Sequence, residues 1–454
     1  MKPGSFLGIL LELLLDLERP EGLPADARIG RFFRERRYLG AKDRRLLGSL
    51  AYAWIRQGLR GEARWDAWAC RTGVPAAGEA SGREAPLPSL MALAHDGILS
   101  WSARDLLVAA RQLLPEGSTW IALLERALAP DALGPQDWPS DPMTRLAAEL
   151  ALPEWLAHRL VEERGLEAAC SLGALLLEEA PVDLRVNTAK GSRQEAAQAI
   201  EAQAGADFTG PTPWSPLGLR LRRRLNLGAF LASRKGWLEV QDEGSQLAVL
   251  AAEPPPAGTV IDGCAGAGGK TLAILDLREA AGGAGEIHAC DILGDKLDEL
   301  CRRTALREAR NLHIHRIAPE GPLPPGLPVQ ADLVFLDAPC SGTGTLRRSP
   351  DLKRRHGPAD VTRFAALQAS ILRRFAPLVR PGGRLVYTTC SLLREENDAV
   401  VDPFLKEQPG FTGIGSPWAR SHLSAQVQEG GRLRLDPLAT GTDGFFVAIL
   451  ERTS

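Results

Sequence analysis

Several features that would place a protein in a familiar class are missing from this sequence. No apolar run is long enough to cross a bilayer, and the longest one near the start, residues 6–17, is interrupted by Glu12 and Asp16. That run predicts an amphipathic helix, not a signal peptide. No Cys-x-x-Cys pair occurs, and seven irregularly spaced cysteines argue against both a disulfide framework and structural zinc. We expect a protein of the reducing cytoplasm, with no metal and no membrane segment.

An excess of positive charge is also missing, because the formal net charge is −2. If the protein binds nucleic acid, the positive charge must therefore be concentrated locally. Basic clusters do occur, among them residues 347–348 and 353–355. A run of charge is usually a solvated face, so a cluster alone is weak ground for a binding site.

The 454 residues are too many for one ordinary core, and the pattern changes twice along the chain. Residues 1–140 carry Leu, Ala, Arg and Trp at helical spacing, which predicts an all-α domain. Residues 141–235 combine short helices with alternating strands, which predicts a small α/β insert. Residues 236–454 alternate strands with helices, which predicts an α/β domain with a parallel sheet and helices on both faces.

A glycine-rich loop follows the first strand of the third region. It is Asp-Gly-Cys-Ala-Gly-Ala-Gly-Gly-Lys-Thr at 262–271 and opens a helix. Such loops let a ligand approach the backbone and the free N–H groups of the helix. A nucleotide-type cofactor, a P-loop and a ligand-free turn are the competing interpretations. The P-loop pattern fails at Cys264, where it needs glycine. Asp291, at the end of the next strand, stands where a dinucleotide-type fold holds ribose hydroxyls, which favours the cofactor.

Two strand ends each deliver a cysteine. An apolar run at 333–336 leads into Asp-Ala-Pro-Cys-Ser-Gly at 337–342, and another at 385–387 leads into Thr-Thr-Cys-Ser at 388–391. Ligands of open parallel sheets bind beyond the carboxyl ends of the strands, so Cys340 and Cys390 are expected to face one crevice. A free cysteine is most often a small buried hydrophobe, but the matching positions favour a chemical role. The clusters at 347–348 and 353–355 directly follow the first turn.

Together, the loop and the two turns resemble the NOL1/NOP2/Sun family of RNA cytosine-5 methyltransferases. Blocks at 185–188, 240–245 and 442–446 also resemble that family, so the resemblance covers about residues 143–454. The first domain resembles the NusB-like, RNA-binding domain of the bacterial ribosomal RNA members, at residues 43–45 and the following helix. The resemblance implies a Rossmann-like catalytic domain, S-adenosylmethionine as cofactor, and RNA as partner, with small-subunit ribosomal RNA favoured. It also implies a cytoplasmic protein, and we expect a monomer.

The resemblance further implies roles for individual residues. Cys390 would add to carbon 6 of the cytosine, Asp337 would hydrogen-bond the edge of the base, and Cys340 would assist release of the product. The residues implied to hold the cofactor are Cys264, Ala265, Gly266, Ala267, Gly268, Gly269, Lys270, Asp291 and Asp337. The residues expected to contact RNA are Arg185, Asn187, Arg348 and Lys353.

The chain departs from the family pattern at two places. Ala318 stands where the family carries an Asp that holds the adenine amino group, and Lys353-Arg354 stands where it carries Lys-Trp. Transfer RNA is the alternative substrate. An RNA-binding ribosome-assembly factor without catalysis is the alternative class. The intact Cys390, Cys340 and Asp337 argue against that class, because a non-catalytic protein would be free to lose them.

Overall fold

The computed structural model describes residues 2–19, 23–81, 84–116, 118–129, 133–134, 136–223, 236–283, 285–305, 307, 309 and 311–453. The chain divides into two compact units, one formed by Met1–Glu178 with Ser349–Gly357 and the other by Glu179–Arg348 with Pro358–Ser454. The region predicted as one insert, 141–235, is thus shared between the units. The three-domain division stays a prediction, and its second boundary, at residue 235, lies outside the described residues.

Helices supply all the regular secondary structure that is described in the first unit. In chain order, the α-helices of the described residues in both units are α1 (Pro3–Glu18), α2 (Ala25–Glu35), α3 (Ala41–Thr72), α4 (Leu87–His95), α5 (Ala103–Leu113), α6 (Thr119–Ala127), α7 (Pro142–Glu149), α8 (Glu154–Arg164), α9 (Leu166–Leu176), α10 (Arg193–Ala204), α11 (Glu243–Ala252), α12 (Gly269–Ala280), α13 (Gly294–Ala305), α14 (Leu352–Arg355), α15 (Pro358–Phe375), α16 (Asp398–Glu407), α17 (Pro417–His422) and α18 (Pro437–Thr440). Helices α1–α9 and α14 belong to the first unit.

The core of the first unit forms where the sequence has its helical stripes. The run at 6–17 lies within α1, and its Leu7 and Leu11 are completely buried, so the prediction of a helix is confirmed. Helix α3 buries Leu47 and Trp54 on one face and is capped by Gly73, whose φ of 68° suits a residue without a Cβ. Among the described helices, none combines the length and the apolar content that crossing a membrane requires.

The strands all lie in the second unit, as far as the chain is described. They are β1 (Val182–Val186), β2 (Thr209–Pro211), β3 (Gly218–Leu221), β4 (Leu238–Val240), β5 (Val260–Asp262), β6 (Ile287–Asp291), β7 (Leu312–Arg316), β8 (Ala331–Asp337), β9 (Val379–Thr389), β10 (Phe411–Ile414), β11 (Leu433–Leu435) and β12 (Phe445–Arg452). Strands β1–β4 form a small antiparallel sheet in the order β2-β3-β1-β4. Alternating side chains of that sheet, such as Leu184 and Leu219, pack against Ile200 of α10.

The large sheet has the order β10-β12-β9-β8-β5-β6-β7, with β11 paired to β12. Strands β5–β9 are parallel, as the alternation of strands and helices predicts. The last strand, β12, is antiparallel to β9, and β10 and β11 were not predicted. The short connection through α18 reverses the chain after β11, so that β12 pairs with β11 in the antiparallel direction. The predicted fold class, a Rossmann-like α/β domain after an all-α region and a small α/β element, is confirmed.

The order of the strands determines where a ligand can bind. After β5 the chain adds β6 and β7 on one side of the sheet, and it then returns to add β8 and β9 on the other side. Such a reversal opens a crevice at the carboxyl ends of the two central strands. In this sheet those strands are β5, which leads into the glycine-rich loop, and β8, which ends at Asp337.

Candidate active site

The two cysteine-containing turns lie side by side because their strands are neighbours. Strands β8 and β9 run parallel, and Asp337 is paired with Thr388 in their register. Beyond that pair, the Ala338 N–H donates to the Thr388 carbonyl over 2.9 Å. The structure therefore brings together the Cys340 and Cys390 sulfur atoms, which are 3.3 Å apart and partly exposed.

A lysine and a carboxylate lie at the same strand ends. Lys270, in the first turn of α12, donates from Nζ to Asp337 Oδ2 over 2.5 Å, and its Nζ is 4.9 Å from the centre of the Phe445 ring. Burial disfavours the charged ammonium, but the charge of the Asp337 carboxylate and its hydrogen bond outweigh it, so the pKa of Lys270 is raised. Lys270 therefore stays cationic, and a cation near a cysteine favours the thiolate.

Cys340 holds its proton tightly. The hydrogen bond with Cys390 is the main cause that raises the pKa of Cys340, and burial adds to it. Because Cys340 keeps its proton, its S–H can donate to the Cys390 sulfur. A donor so placed stabilises negative charge on Cys390, which is what a nucleophilic thiolate needs. The pair can therefore supply a proton donor and a nucleophile.

The glycine-rich loop wraps around Asp291. The Gly266 N–H donates to Asp291 Oδ2 over 2.7 Å, and the Leu293 N–H donates to Oδ1 over 2.8 Å. Gly268, with φ of 85°, begins α12, and a Cβ on it would lie 2.2 Å from the Leu300 side chain. A Cβ on Gly266 would meet no atom within 4 Å. The backbone at Gly266 therefore borders open space, which fits a ligand lying against the loop.

The loop is tied at both ends by one buried carboxylate. The Cys264 N–H donates to Asp262 Oδ1 over 3.2 Å, and the Thr271 hydroxyl donates to Oδ2 over 2.6 Å. Burial raises the pKa of Asp262 to about 7, against the hydrogen bond from Thr271. The residues predicted to hold the cofactor at 264–269 all lie between these two anchors. Within the described part of the chain, no group of three or more His, Cys, Asp or Glu side chains could hold a metal ion.

Two of the residues expected to contact RNA lie inside the protein. Arg185 and Asn187 are each 1% exposed. Arg185 donates from Nε to Gln241 Oε1 over 2.6 Å and forms an ion pair with Asp276, and Asn187 Nδ2 donates to Asp276 Oδ1 over 2.9 Å. This placement corrects the prediction, because side chains enclosed in this way anchor helix α12 through Asp276 and offer no surface to RNA.

The other two expected RNA contacts also bind protein groups. Arg348 donates from Nη2 to Asp242 and from Nε to Asp443, over 2.9 Å and 2.8 Å. Because Arg348 keeps 32% of its side chain exposed, its contact with RNA stays a prediction. Lys353 is 6% exposed, and its Nζ donates to the Ala151 carbonyl over 2.8 Å. Its burial in the first unit corrects the prediction of an RNA contact.

Glu396, which was not predicted from the sequence, lies beneath both cysteine-containing turns. It is fully buried and accepts hydrogen bonds from the hydroxyls of Ser341 and Ser391, each over 2.5 Å. These serines directly follow Cys340 and Cys390. The available signal was a glutamate five residues after Ser391, but nothing in the local pattern marks that glutamate as buried.

Comparison with known proteins assigns the family. Residues 249–451 match the family described as 16S rRNA methyltransferase RsmB/F, and residues 152–227 match its ferredoxin-like domain. A probable ribosomal RNA small subunit methyltransferase B of Bacillus subtilis is 34% identical over 324 residues, which cover 69% of each chain.

Two solved structures share the fold. PH0851 covers 100% of this chain and 99% of its own, with a TM-score of 0.77 and 24% identity. A methyltransferase homolog protein from Pyrococcus horikoshii covers 69% of this chain and 100% of its own, with a TM-score of 0.56 and 25% identity. From the matched profile and the extent of the likeness to the Bacillus protein, this chain belongs to the RsmB/F methyltransferase family.

Proposed function

We propose that this protein methylates carbon 5 of a cytosine in small-subunit ribosomal RNA through a covalent bond from Cys390. As a member of its family it is an RNA methyltransferase, and its cofactor is S-adenosylmethionine. The cytosine-5 chemistry rests chiefly on the 3.3 Å between the Cys340 and Cys390 sulfur atoms, beside the Lys270–Asp337 pair.

The cofactor supplies an electrophilic methyl group when it is bound. The backbone N–H groups of loop residues 264–269 would hold it at the start of α12. Asp291 would accept hydrogen bonds from its ribose hydroxyls, as acids at the end of this strand do in related folds. The same carboxylate shapes the loop, since it accepts the Gly266 N–H over 2.7 Å.

Carbon 5 of cytosine is a poor nucleophile until a thiolate adds to carbon 6. Cys390 is suited to that addition, because Cys340 can donate a hydrogen bond to its sulfur and Lys270 keeps a positive charge nearby. The electron pair of Cys390 would form the bond to carbon 6, and the ring would become an enamine-like species. Its carbon 5 would take the methyl group from the cofactor, whose methyl–sulfur bond would break with the electron pair going to sulfur. Asp337 would hydrogen-bond the edge of the base and stabilise the charge that develops on the ring.

The product leaves when the bond between Cys390 and carbon 6 breaks. Carbon 5 then carries the methyl group and a proton, and loss of that proton to a base restores the ring double bond. The electron pair of the breaking bond returns to the Cys390 sulfur. Cys340 assists this step, because its retained proton can stabilise the departing thiolate across 3.3 Å. We expect the reaction to take place in the cytoplasm and the protein to act as a monomer.

A methylation assay with labelled S-adenosylmethionine tests this proposal. Small-subunit ribosomal RNA, either free or in assembly particles, is the expected substrate, and transfer RNA is the comparison. After digestion to nucleosides, label is expected in 5-methylcytidine from the ribosomal RNA. Label in a different nucleoside would contradict the chemistry, and label confined to transfer RNA would contradict the substrate. Tight binding of ribosomal RNA without transfer of label would support an assembly factor instead.

A further inference from the structure

A carboxylate connects the two cysteine-containing turns from below. Glu396 is completely buried, in a 3₁₀ turn at Arg394–Glu396. Its Oε1 accepts the Ser341 N–H over 2.8 Å, and its Oε2 accepts both the Ser341 and the Ser391 hydroxyl over 2.5 Å. Ser341 follows Cys340, and Ser391 follows Cys390. One side chain therefore holds the residues next to both sulfur atoms.

Neighbouring amides extend the connection to the rest of each turn. Gln368, on α15, donates from Nε2 to the Pro339 carbonyl over 2.9 Å and to Glu396 Oε1 over 3.2 Å. Asn397 donates from Nδ2 to the Ser391 carbonyl over 3.0 Å and accepts the Thr389 hydroxyl over 2.6 Å. Glu396 lies between these two amides, because it accepts a hydrogen bond from Gln368 and directly precedes Asn397 in the chain. We call Glu396 and its hydrogen-bond partners the junction.

In the junction, the hydrogen bonds at Glu396 suit a group that only accepts. Four donor contacts converge on Glu396, and no ion pair is formed by it among the residues that the structure describes. A buried carboxylate without a counter-ion is unfavourable unless its hydrogen bonds are complete. A glutamine could keep its oxygen towards the two N–H donors only by placing its NH₂ group against the two serine hydroxyls, which would then have to turn round and accept. The carboxylate at this position therefore joins the two turns through hydrogen bonds and does not neutralise a positive charge.

We propose that Glu396 is a positioning residue that sets the separation between the Cys340 and Cys390 sulfur atoms. Other contacts also join the turns, for example the Gly344 N–H to the Cys390 carbonyl over 2.9 Å. Glu396, however, acts on the residues adjacent to both thiols. Without its carboxylate, the turns lose their common acceptor and the sulfur atoms separate. The consequence for catalysis rests on the proposed function, whereas the consequence for geometry does not.

Cross-linking of the two thiols measures the geometry without any RNA. Diamide accepts two electrons and both thiol protons, and is reduced to the hydrazine, as a bond forms between the Cys340 and Cys390 sulfur atoms. From 3.3 Å the sulfur atoms need to approach only to about 2.0 Å. In Glu396→Gln and Glu396→Ala we expect the cross-linked peptide to form about tenfold more slowly, as for the loss of one hydrogen bond near 1.4 kcal/mol. The neighbouring Glu395→Gln is the control and should match the wild type.

Kinetics supply the second readout. We expect both Glu396 variants to lower kcat by about 100-fold, the effect of misplacing reacting groups by an ångström, with KM for the cofactor unchanged. In the Cys340→Ala background the same change should lower the rate of adduct formation much less, because one of the two thiols is already absent. If Glu396→Ala does not fold, the measurements on Glu396→Gln alone decide the test.

Two results would overturn the proposal. One is cross-linking at the wild-type rate in folded Glu396→Gln. The other is an equal loss of rate with and without Cys340, which would make Glu396 a general support of the fold. Should the wild type fail to methylate any RNA, the proposed function falls, and the cross-linking rate still decides the role of Glu396.

Discussion

Two ionic clusters in the second unit each pair a basic side chain with an aspartate, and they differ in their access to solvent. In the open cluster, the Lys270 and Asp337 side chains are 11% and 31% exposed. In the sealed cluster, the Arg185 and Asp276 side chains are 1% and 4% exposed. Helix α12 carries one member of each, so the sealed cluster fixes the helix that presents the open one.

The difference shows how burial divides charges between structure and chemistry. A sealed ion pair is stable only while every partner is present, because each charge has lost its water. An open pair keeps part of its polar surface for a substrate, and Asp337 has that surface beside two thiols. A charged side chain at the strand ends can therefore take part in the reaction only if it stays partly exposed, as Asp337 does. A buried charge such as Asp276 supports the fold instead.

Removal of the sealed carboxylate should have the largest effect on stability. Asp276 is shared by Arg185, Asn187 and Arg307, the last over 3.0 Å. Asp276→Ala leaves the buried Arg185 guanidinium without its counter-ion and leaves Arg307 with Glu239 alone, so the free energy of unfolding should fall by about 3–5 kcal/mol. Denaturant unfolding curves measure the loss, and Asp276→Asn should lose less because it keeps the shape. An unchanged midpoint in Asp276→Ala would show that the cluster is not a support.

The matching change in the open cluster should act on the rate instead. Asp337→Asn keeps the size of the side chain but removes the charge that faces Lys270. We expect kcat to fall by about 100- to 1000-fold, as when one group that stabilises developing charge is removed. The unfolding midpoint should stay close to that of the wild type. A loss of stability as large as that of Asp276→Ala would abolish the distinction between the clusters.

Lys353 is a buried lysine in the first unit, and the dependence of stability on pH tests its burial. Burial, together with repulsion from Arg354 and Arg56, lowers the pKa of Lys353 to about 7, whereas an unfolded lysine titrates near 10.4, about its ordinary value. Between these values the unfolded chain binds a proton that the folded chain lacks. The free energy of unfolding should therefore rise with pH, by up to about 1.4 kcal/mol per pH unit from this residue.

The contribution of Lys353 is isolated by comparing variants at pH 7, 8 and 9. In Lys353→Met the rise with pH should be smaller than in the wild type, while Lys42→Met, at an exposed position, should follow the wild type. If the free energy of unfolding rises equally with pH in all three proteins, Lys353 is charged in the folded state. The description of Lys353 as buried and uncharged above pH 7 would then be wrong.

The smallest expected effect concerns the adenine end of the cofactor. Ala318 is exposed after β7, and its carbonyl accepts from Arg374 Nη1 over 2.9 Å. Ala318→Asp would restore the acid that the family carries, and we expect roughly 1.5 kcal/mol tighter cofactor binding from one charge-assisted hydrogen bond. Calorimetry measures the change, with Glu320→Ala as a test of the nearby acid. If neither variant changes the affinity for the cofactor, the adenine does not bind next to residues 318–320.

The sequence predicted the parts of the site that follow from local pattern and strand direction. Parallel strands share an edge, so the turns at 337–342 and 388–391 were expected together, and the structure places them together. Exposure is a property of the folded chain. The burial of Arg185 and Lys353 could not be predicted, because neither Asp276 nor the Ala151 carbonyl is near them in sequence. Glu396 was missed for the same reason, since Ser341 lies 55 residues away.

The most direct test of the account is the fate of the RNA adduct when each thiol is removed. Cys340→Ala can still attack but releases slowly, so it should accumulate as protein bonded to RNA on a denaturing gel, with the link mapped to Cys390. Cys390→Ala and the double variant should show neither adduct nor 5-methylcytidine. An adduct that accumulates in Cys390→Ala, linked through Cys340, would contradict the assignment of Cys390 as the nucleophile.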